Sequence, residues 1–165
     1  MQKLVIALTV FLSILLESVV FRFFAISGVV PNITMILVIC YALHHEDEKA
    51  AMIGLLAGLA KDMTVGRIIG ISAITFMILG YITGHYNHKI FAEHVTTPVV
   101  ITMVGTFFHE SIYLLFVFFL GYQVDILYAA QQVWLVQLLY NLIMVIPVYA
   151  AVRKLLQRPV MNKRY

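Results

Sequence analysis

The adjacent pair His109-Glu110, inside an apolar run, is the first place to look for chemistry. Such a pair begins a zinc-hydrolase helix, but that motif needs a second histidine four residues after the first, so that both rings reach one metal from one face. Tyr113 holds that position, so no metal centre is expected here. Thr102, Thr106, His109 and Tyr113 fall along one helical face, with Glu110 beside it. Two readings stand: a functional one, a buried polar cluster that meets Glu17 or Asn141, and a structural one, a neutral His109 hydrogen-bonded to a carboxylate, which is preferred. Thr9, Ser13 and Glu17 are spaced to share one face of the first helix. Glu17 has two readings: a contact for a ligand, proton or partner, or a structural residue that either packs the bundle through a polar interhelical contact or lies close enough to the outer interface to stay wet. The second is favoured, because Glu17 stands about two turns from the outer end of its helix.

Other candidates carry less. His44, His45, Glu46, Asp47 and Glu48 are rich in metal-ligand types, but adjacent histidines on a helix point in different directions, and a solvated turn is expected. Gln137 and Asn141 share a face and are assigned to interhelical hydrogen bonding. Pro147 is expected to kink its helix. No GxSxG, paired-aspartate signature or P-loop occurs, and no nucleophile stands with a base and an orienting group. No catalytic residue and no cofactor is expected. Cys40 is the single cysteine, which excludes an internal disulfide and a multi-cysteine metal or redox site.

The elements that must position these residues are membrane helices. Of 165 residues, 62% are apolar and 12% charged, against about 45–50% and about 25% in soluble chains. That excludes a soluble enzyme, and a net charge of +3 does not imply a nucleic-acid partner. A bilayer core of about 30 Å takes roughly 20 helical residues to cross. Leu4–Phe24, Ile68–Tyr86, Val99–Leu120 and Val133–Val152 suffice at once. Ile33–Leu43 and Ala50–Ala60 are shorter, at about 16 Å each. As a re-entrant hairpin they would put the charged linker 44–49 near mid-membrane, at about 2.5–3.5 kcal/mol per charge. Extending them to begin near Val29 and end near Val65 keeps the linker in water. The chain is therefore read as an all-α integral membrane protein of one domain, with six spans at 29–43, 49–65 and 68–86 as well as 4–24, 99–120 and 133–152, and a basic tail, 153–165. So little remains outside the spans that function must act within the bilayer or through short loops.

Lys3, Lys49, Lys89, Arg153, Lys154, Arg158, Lys163 and Arg164 fall on the side of the termini, against Arg22, Lys61 and Arg67 on the other. This bias places both termini in the cytoplasm. Phe21, Tyr86, Tyr122, Tyr128 and Trp134 suit interfacial anchors. Lys3 before an apolar run and Ala25-Ile26-Ser27 resemble a signal peptide, but Glu17, Arg22 and bulky Phe21, Phe23 and Phe24 favour a retained helix.

Three small-xxx-small pairs, Gly54/Gly58, Gly66/Gly70 and Gly80/Gly84, suit close helix approach and are expected to pack the bundle internally. Asp62 is expected just past its helix, because an acid is unfavourable at a helix C-terminus. There it could cap the Thr64 or Val65 N–H groups or pair with Arg67, with Gly66 freeing the turn.

Pro31-Asn32 opening the second helix, then Gly54-Leu55-Leu56-Ala57-Gly58-Leu59-Ala60-Lys61-Asp62, then Gly66 and Gly70, then Gly80-Tyr81 and Gly84, resemble the MreD family of bacterial rod shape-determining proteins over about residues 29–90. Lys61 departs from the more apolar residue expected beside Asp62. The resemblance implies a non-enzymatic component of the bacterial cytoplasmic membrane, folded as a six-helix bundle like the substrate-binding component of energy-coupling-factor vitamin transporters. It implies association with MreC and, through it, with the polymerase RodA, its transpeptidase and MreB filaments. A vitamin-binding transporter component is the alternative, with Glu17, Asp62 and Arg67 available to a ligand. Against it, Ala7 is followed by Phe11 where that family's docking pattern has a second alanine.

Overall fold

The computed structural model describes residues 2–26, 28–66, 68–86, 96–121 and 126–157, with side chains beyond 126 described from Trp134. Six helices cover the described residues: α1 (Gln2–Leu15), α2 (Ile33–Ala42), α3 (Asp47–Thr64), α4 (Ile71–Tyr86), α5 (Thr96–Phe119) and α6 (Ile126–Leu156). This is an all-α fold of membrane type. Helical winding continues beyond α1 as a π-turn, Leu16–Val20, and a 3-10 turn, Phe21–Phe24. Lys3–Phe24, Thr96–Phe119 and Trp134–Leu156 are long and apolar enough to cross a membrane, while α2 and α4 are shorter apolar helices. α6 runs through Pro147 as one helix. The expectations resting on Ser27, Arg67, Lys89, Tyr122, Arg158, Lys163, Arg164 and the Tyr128 side chain lie outside the described residues.

The second helix does not begin near Val29. It begins at Ile33 and has ten residues, about 15 Å of helix. Pro31 is the cause: a residue before proline is steered out of the α region, so Val30 cannot continue a helix. Asn32 then starts one by accepting the Met35 N–H on its side chain. Before it the chain turns through Gly28, at φ +78°, with Ile26 and Val29 bridged. All ten residues of α2 are buried. One side packs on α6, where Ile33, Leu37 and Tyr41 join Val145, Tyr149 and Val152. Another packs on α1, α3 and α4, where Met35, Val38 and Ile39 join Val10, Ile14, Ala57 and Phe76. The shortest helix is thus the centre of the bundle, and that is why it is apolar on every face.

α3 and α4 make the most extensive pairing in the molecule. It is a backbone contact made possible by missing side chains. A Cβ built on Gly54 would stand 2.1 Å from the Phe76 carbonyl oxygen, and one on Gly58 2.3 Å from that of Ser72. Gly80 lies as close to the Ala50 carbonyl oxygen, at 2.5 Å, and Gly84 to Asp47 Cα, at 2.8 Å. The Gly54/Gly58 and Gly80/Gly84 pairs therefore serve internal packing, as their spacing predicts, whereas Gly66/Gly70 lies in the turn between the helices and packs no helix pair. Gly66 differs. Its Cβ position is 2.6 Å from Asp62 Cα, so the close passage of the chain back over α3 requires glycine there. The turn's unusual backbone falls at Gly70, φ +106°, just before α4.

The linker between α2 and α3 is tied down by its histidines. His44 and His45 place Nδ1 at 2.9 and 2.8 Å from the Cys40 and Tyr41 carbonyls, bonding the last turn of α2. Glu46 and Lys49 pair on the exposed face, and His85 at the end of α4 meets Asp47 at 3.4 Å.

Candidate functional site

Three helix ends meet inside the bundle, at the level where α2 and α4 start and α3 finishes, and a charged side chain answers each. Helix starts carry partial positive charge and helix ends partial negative charge. Glu17, in the π-turn of the first helix, accepts the Thr34 N–H at the start of α2 on Oε1. Asp62 accepts the N–H groups of Gly70 at 2.8 Å, Ser72 at 3.3 Å and Ala73 at 3.2 Å, at the start of α4. Lys61 lies in the last turn of α3. Its Nζ is 2.7 Å from Glu17 Oε2 and 2.6 Å from Asn32 Oδ1, and it stands 5.7 Å from the Phe76 ring centroid.

The polar chain continues through amides. The Asn32 backbone N–H donates to Asn141 Oδ1 at 2.7 Å, and Asn141 Nδ2 donates to Thr106 Oγ1 at 2.9 Å. Thr106 in turn donates to the Thr102 carbonyl. Glu17, Lys61, Asn32, Asn141 and Thr106 thus join α1, α3, α2, α6 and α5 in one hydrogen-bonded path. The shared face of the first helix is used along its length: Thr9 meets the Tyr41 hydroxyl at 2.8 Å and Ser13 the Thr34 hydroxyl at 3.1 Å, about two turns and one turn before Glu17.

Several sequence expectations change here. Asp62 is not past its helix; it lies within α3, 2% exposed, and caps α4 instead of its own loop. The unfavourable position near α3's end is offset by three N–H donors and the start of α4. Of the two structural alternatives for Glu17, the wet interfacial one falls, because it is 3% exposed, and the polar interhelical contact is what the structure places there. Lys61 is not a free topology charge but the part-buried partner of the buried Glu17 carboxylate. His109 is buried and meets no carboxylate among the described residues; its Nδ1 is 2.8 Å from Thr75 Oγ1, and its ring lies against Phe76 at 5.2 Å. Asn141 does join helices. Glu110 and Gln137 are buried. Pro31, Asn32, Gly66 and Gly70 sit at the turns that bring these helix ends together, and Gly54 and Gly58 hold α3 on α4.

Lys61, Thr34 and Thr75 were missed as partners. Lys61 carried a usable signal, because an ionisable residue within an apolar run calls for a named counter-charge. Thr34 acts through its backbone N–H, which no side-chain pattern announces.

Truncating Asp62 to alanine leaves three N–H groups at the start of α4 without their acceptor. The expected cost is about 2–3 kcal/mol, read as a lowered unfolding midpoint of the purified protein in a lipid nanodisc. Asp62→Asn should recover part of it, keeping one acceptor oxygen.

Chemically, this centre ties helix ends together. Glu17, Lys61 and Asp62 spend their charges on one another and on helix termini. Comparison with curated proteins found no match, and comparison with solved structures found none. The sequence profile of a family described as rod shape-determining protein MreD matches residues 1–159. A match over nearly the whole chain settles its kinship, and the protein belongs to the MreD family of rod shape-determining proteins.

Proposed function

We propose that this chain is a non-enzymatic membrane scaffold of the bacterial elongation machinery. In this reading it binds MreC and helps hold the polymerase RodA and its transpeptidase in place, with MreB reached indirectly. It sits in the cytoplasmic membrane with both termini inside. Membership of a rod shape-determining family supports the general role. The single structural observation behind the scaffold reading is the continuous path from Glu17 through Lys61, Asn32 and Asn141 to Thr106. Polar groups bound to one another in this way stiffen a bundle and present its outer surface in one arrangement. Partners would then be recognised by that surface. Its apolar ridge along the first helix, from Leu4 and Leu8 through Phe11 and Leu15 to Val19 and Phe23, is exposed throughout.

The vitamin-transporter alternative gains nothing from the comparisons. The anion-binding position at the start of α2 is taken by the chain's own Glu17.

Co-purification tests the reading. Tagged chain extracted with the MreC of the same cell should retain it through gel filtration. Intact, folded chain that leaves MreC behind in both detergent and nanodisc would remove the central claim.

A further inference from the structure

The far end of the first helix is wound in a way that its own sequence does not call for. The Phe21 N–H reaches back five residues to the Leu16 carbonyl, closing the π-turn over Leu16–Val20, and the 3-10 turn Phe21–Phe24 follows. Helices depart from α-winding mostly at proline, at glycine or where a side chain intrudes on the ladder. Leu16-Glu17-Ser18-Val19-Val20 contains neither proline nor glycine. Ser18 bonds the Leu15 carbonyl three residues back, a bond that an α-helix also allows. What singles out the π-turn is Glu17, its one buried residue. Both oxygens of that carboxylate are gripped from outside the helix, one by the Thr34 N–H and the other by Lys61 at 2.7 Å.

The winding changes which residues face outward. In an unbroken α-helix the seventh residue on returns to nearly the same face. Val20 would then follow Ser13 inward, and Phe24 would follow Glu17. Instead Val20 is 41% and Phe24 67% exposed, although Ser13 and Glu17 are 2% and 3% exposed. A π-turn closes its ring over five residues and underwinds the chain, whereas a 3-10 turn closes over three and overwinds it. Placed one after the other, the two nearly cancel. The segment between Leu15 and Ala25 can therefore rewind as plain α-helix with its ends in place. Rewinding turns Val20 by about 100°, one residue's worth of helix, toward the face of Ser13.

We propose that residues 16–24 are a two-state winding switch set by Glu17. In the engaged state Lys61 and Thr34 hold Glu17, the π-turn and 3-10 turn are kept, and Val20 and Phe24 face outward. The Tyr140 hydroxyl then donates to the Phe24 carbonyl. In the released state the segment is α-helical, and Val20 and Phe24 turn onto the line of Ser13 and Glu17. The switch couples the buried Glu17 carboxylate to the exposed face at the end of the first helix. Whatever favours one form of that face also favours the matching state of Glu17, and the reverse holds equally.

Nitroxide labels on the full chain in lipid nanodiscs provide the test. The label goes on Val20→Cys or, as control, on Leu15→Cys, which stands before the π-turn and is 42% exposed. Cys40 is buried, so the introduced cysteine takes the label. Collision of the label with dissolved oxygen reads its exposure to lipid. With Glu17 and Lys61 in place, the two positions should be about equally open. Glu17→Leu combined with Lys61→Met removes the grip without stranding a charge. In that background oxygen collision at Val20 should fall at least twofold, while Leu15 keeps its value. An unchanged ratio of Val20 to Leu15 overturns the switch. A change of equal size at both positions also overturns it, because it means that the whole helix has moved. So does a Val20 label already protected with Glu17 and Lys61 present. None of these results bears on MreC binding, which is read separately by co-purification.

Discussion

Lys61→Met should be among the most damaging single substitutions in this protein, costing about 3–5 kcal/mol. It removes the cation from Glu17 and leaves a carboxylate 3% exposed among apolar side chains. It also takes a donor from Asn32, whose side chain both starts α2 and receives Lys61. For a chain of this length the loss corresponds to a fall of about 10 °C in unfolding midpoint. Glu17→Leu should cost a similar amount for the opposite reason, stranding Lys61 and leaving the Thr34 N–H without its acceptor. Combining the two substitutions should return at least half of the loss, because removing the buried carboxylate together with its part-buried partner leaves neither charge uncompensated. Thermal unfolding of the four proteins in one lipid, arranged as a double-mutant cycle, measures this coupling. Strict additivity of the two single losses would mean that the pair is not an energetic unit.

The second large effect belongs to the contact of α3 with α4. Gly58→Ala introduces a methyl 2.3 Å from the Ser72 carbonyl oxygen, and Gly54→Ala one 2.1 Å from that of Phe76. Neither obstacle is a side chain that can rotate away, so the helices themselves must separate. Each substitution should cost about 3 kcal/mol or more. The damage spreads, because separating α3 from α4 also draws Asp62 away from the start of α4 and Lys61 away from Glu17. Leu56→Ala is the control. It lies on the same helix between the two glycines, is 60% exposed, and should shift stability by less than about 1 kcal/mol. Equal behaviour of Leu56→Ala and Gly58→Ala in folded yield and unfolding midpoint would refute the backbone-contact account.

Much of the architecture was legible in the chain because it rests on local rules. The helices follow from apolar runs, and the start of α2 from Pro31-Asn32. The small-residue pairs announced a close helix contact, although not which helix they touch. Thr9, Ser13 and Glu17 announced a polar face because a helix returns to the same side every fourth residue. The reading failed where one element borrows a group from another. Asp62 was expected to serve its own loop, yet it caps a helix that begins nine residues later. His109 was expected to find a carboxylate and found Thr75 of α4. Lys61 was counted as a boundary charge, and its partner lies 44 residues away in the chain.

What the sequence determined by itself is the solvent and the class. With 62% apolar residues and 12% charged, the chain requires lipid around it, and its turns divide it into six helices. The motif spacing over residues 29–90 pointed to the family that the profile match then established. Tertiary structure alone decided that the shortest helix lies at the centre, that three helix ends meet within the bundle, and that Glu17, Lys61 and Asp62 answer them. The physical reason is that hydropathy and periodicity are properties of neighbours along the chain. The pairing of a charge with a helix end or a counter-ion depends on which elements stop at the same depth, and that is fixed only when the helices pack.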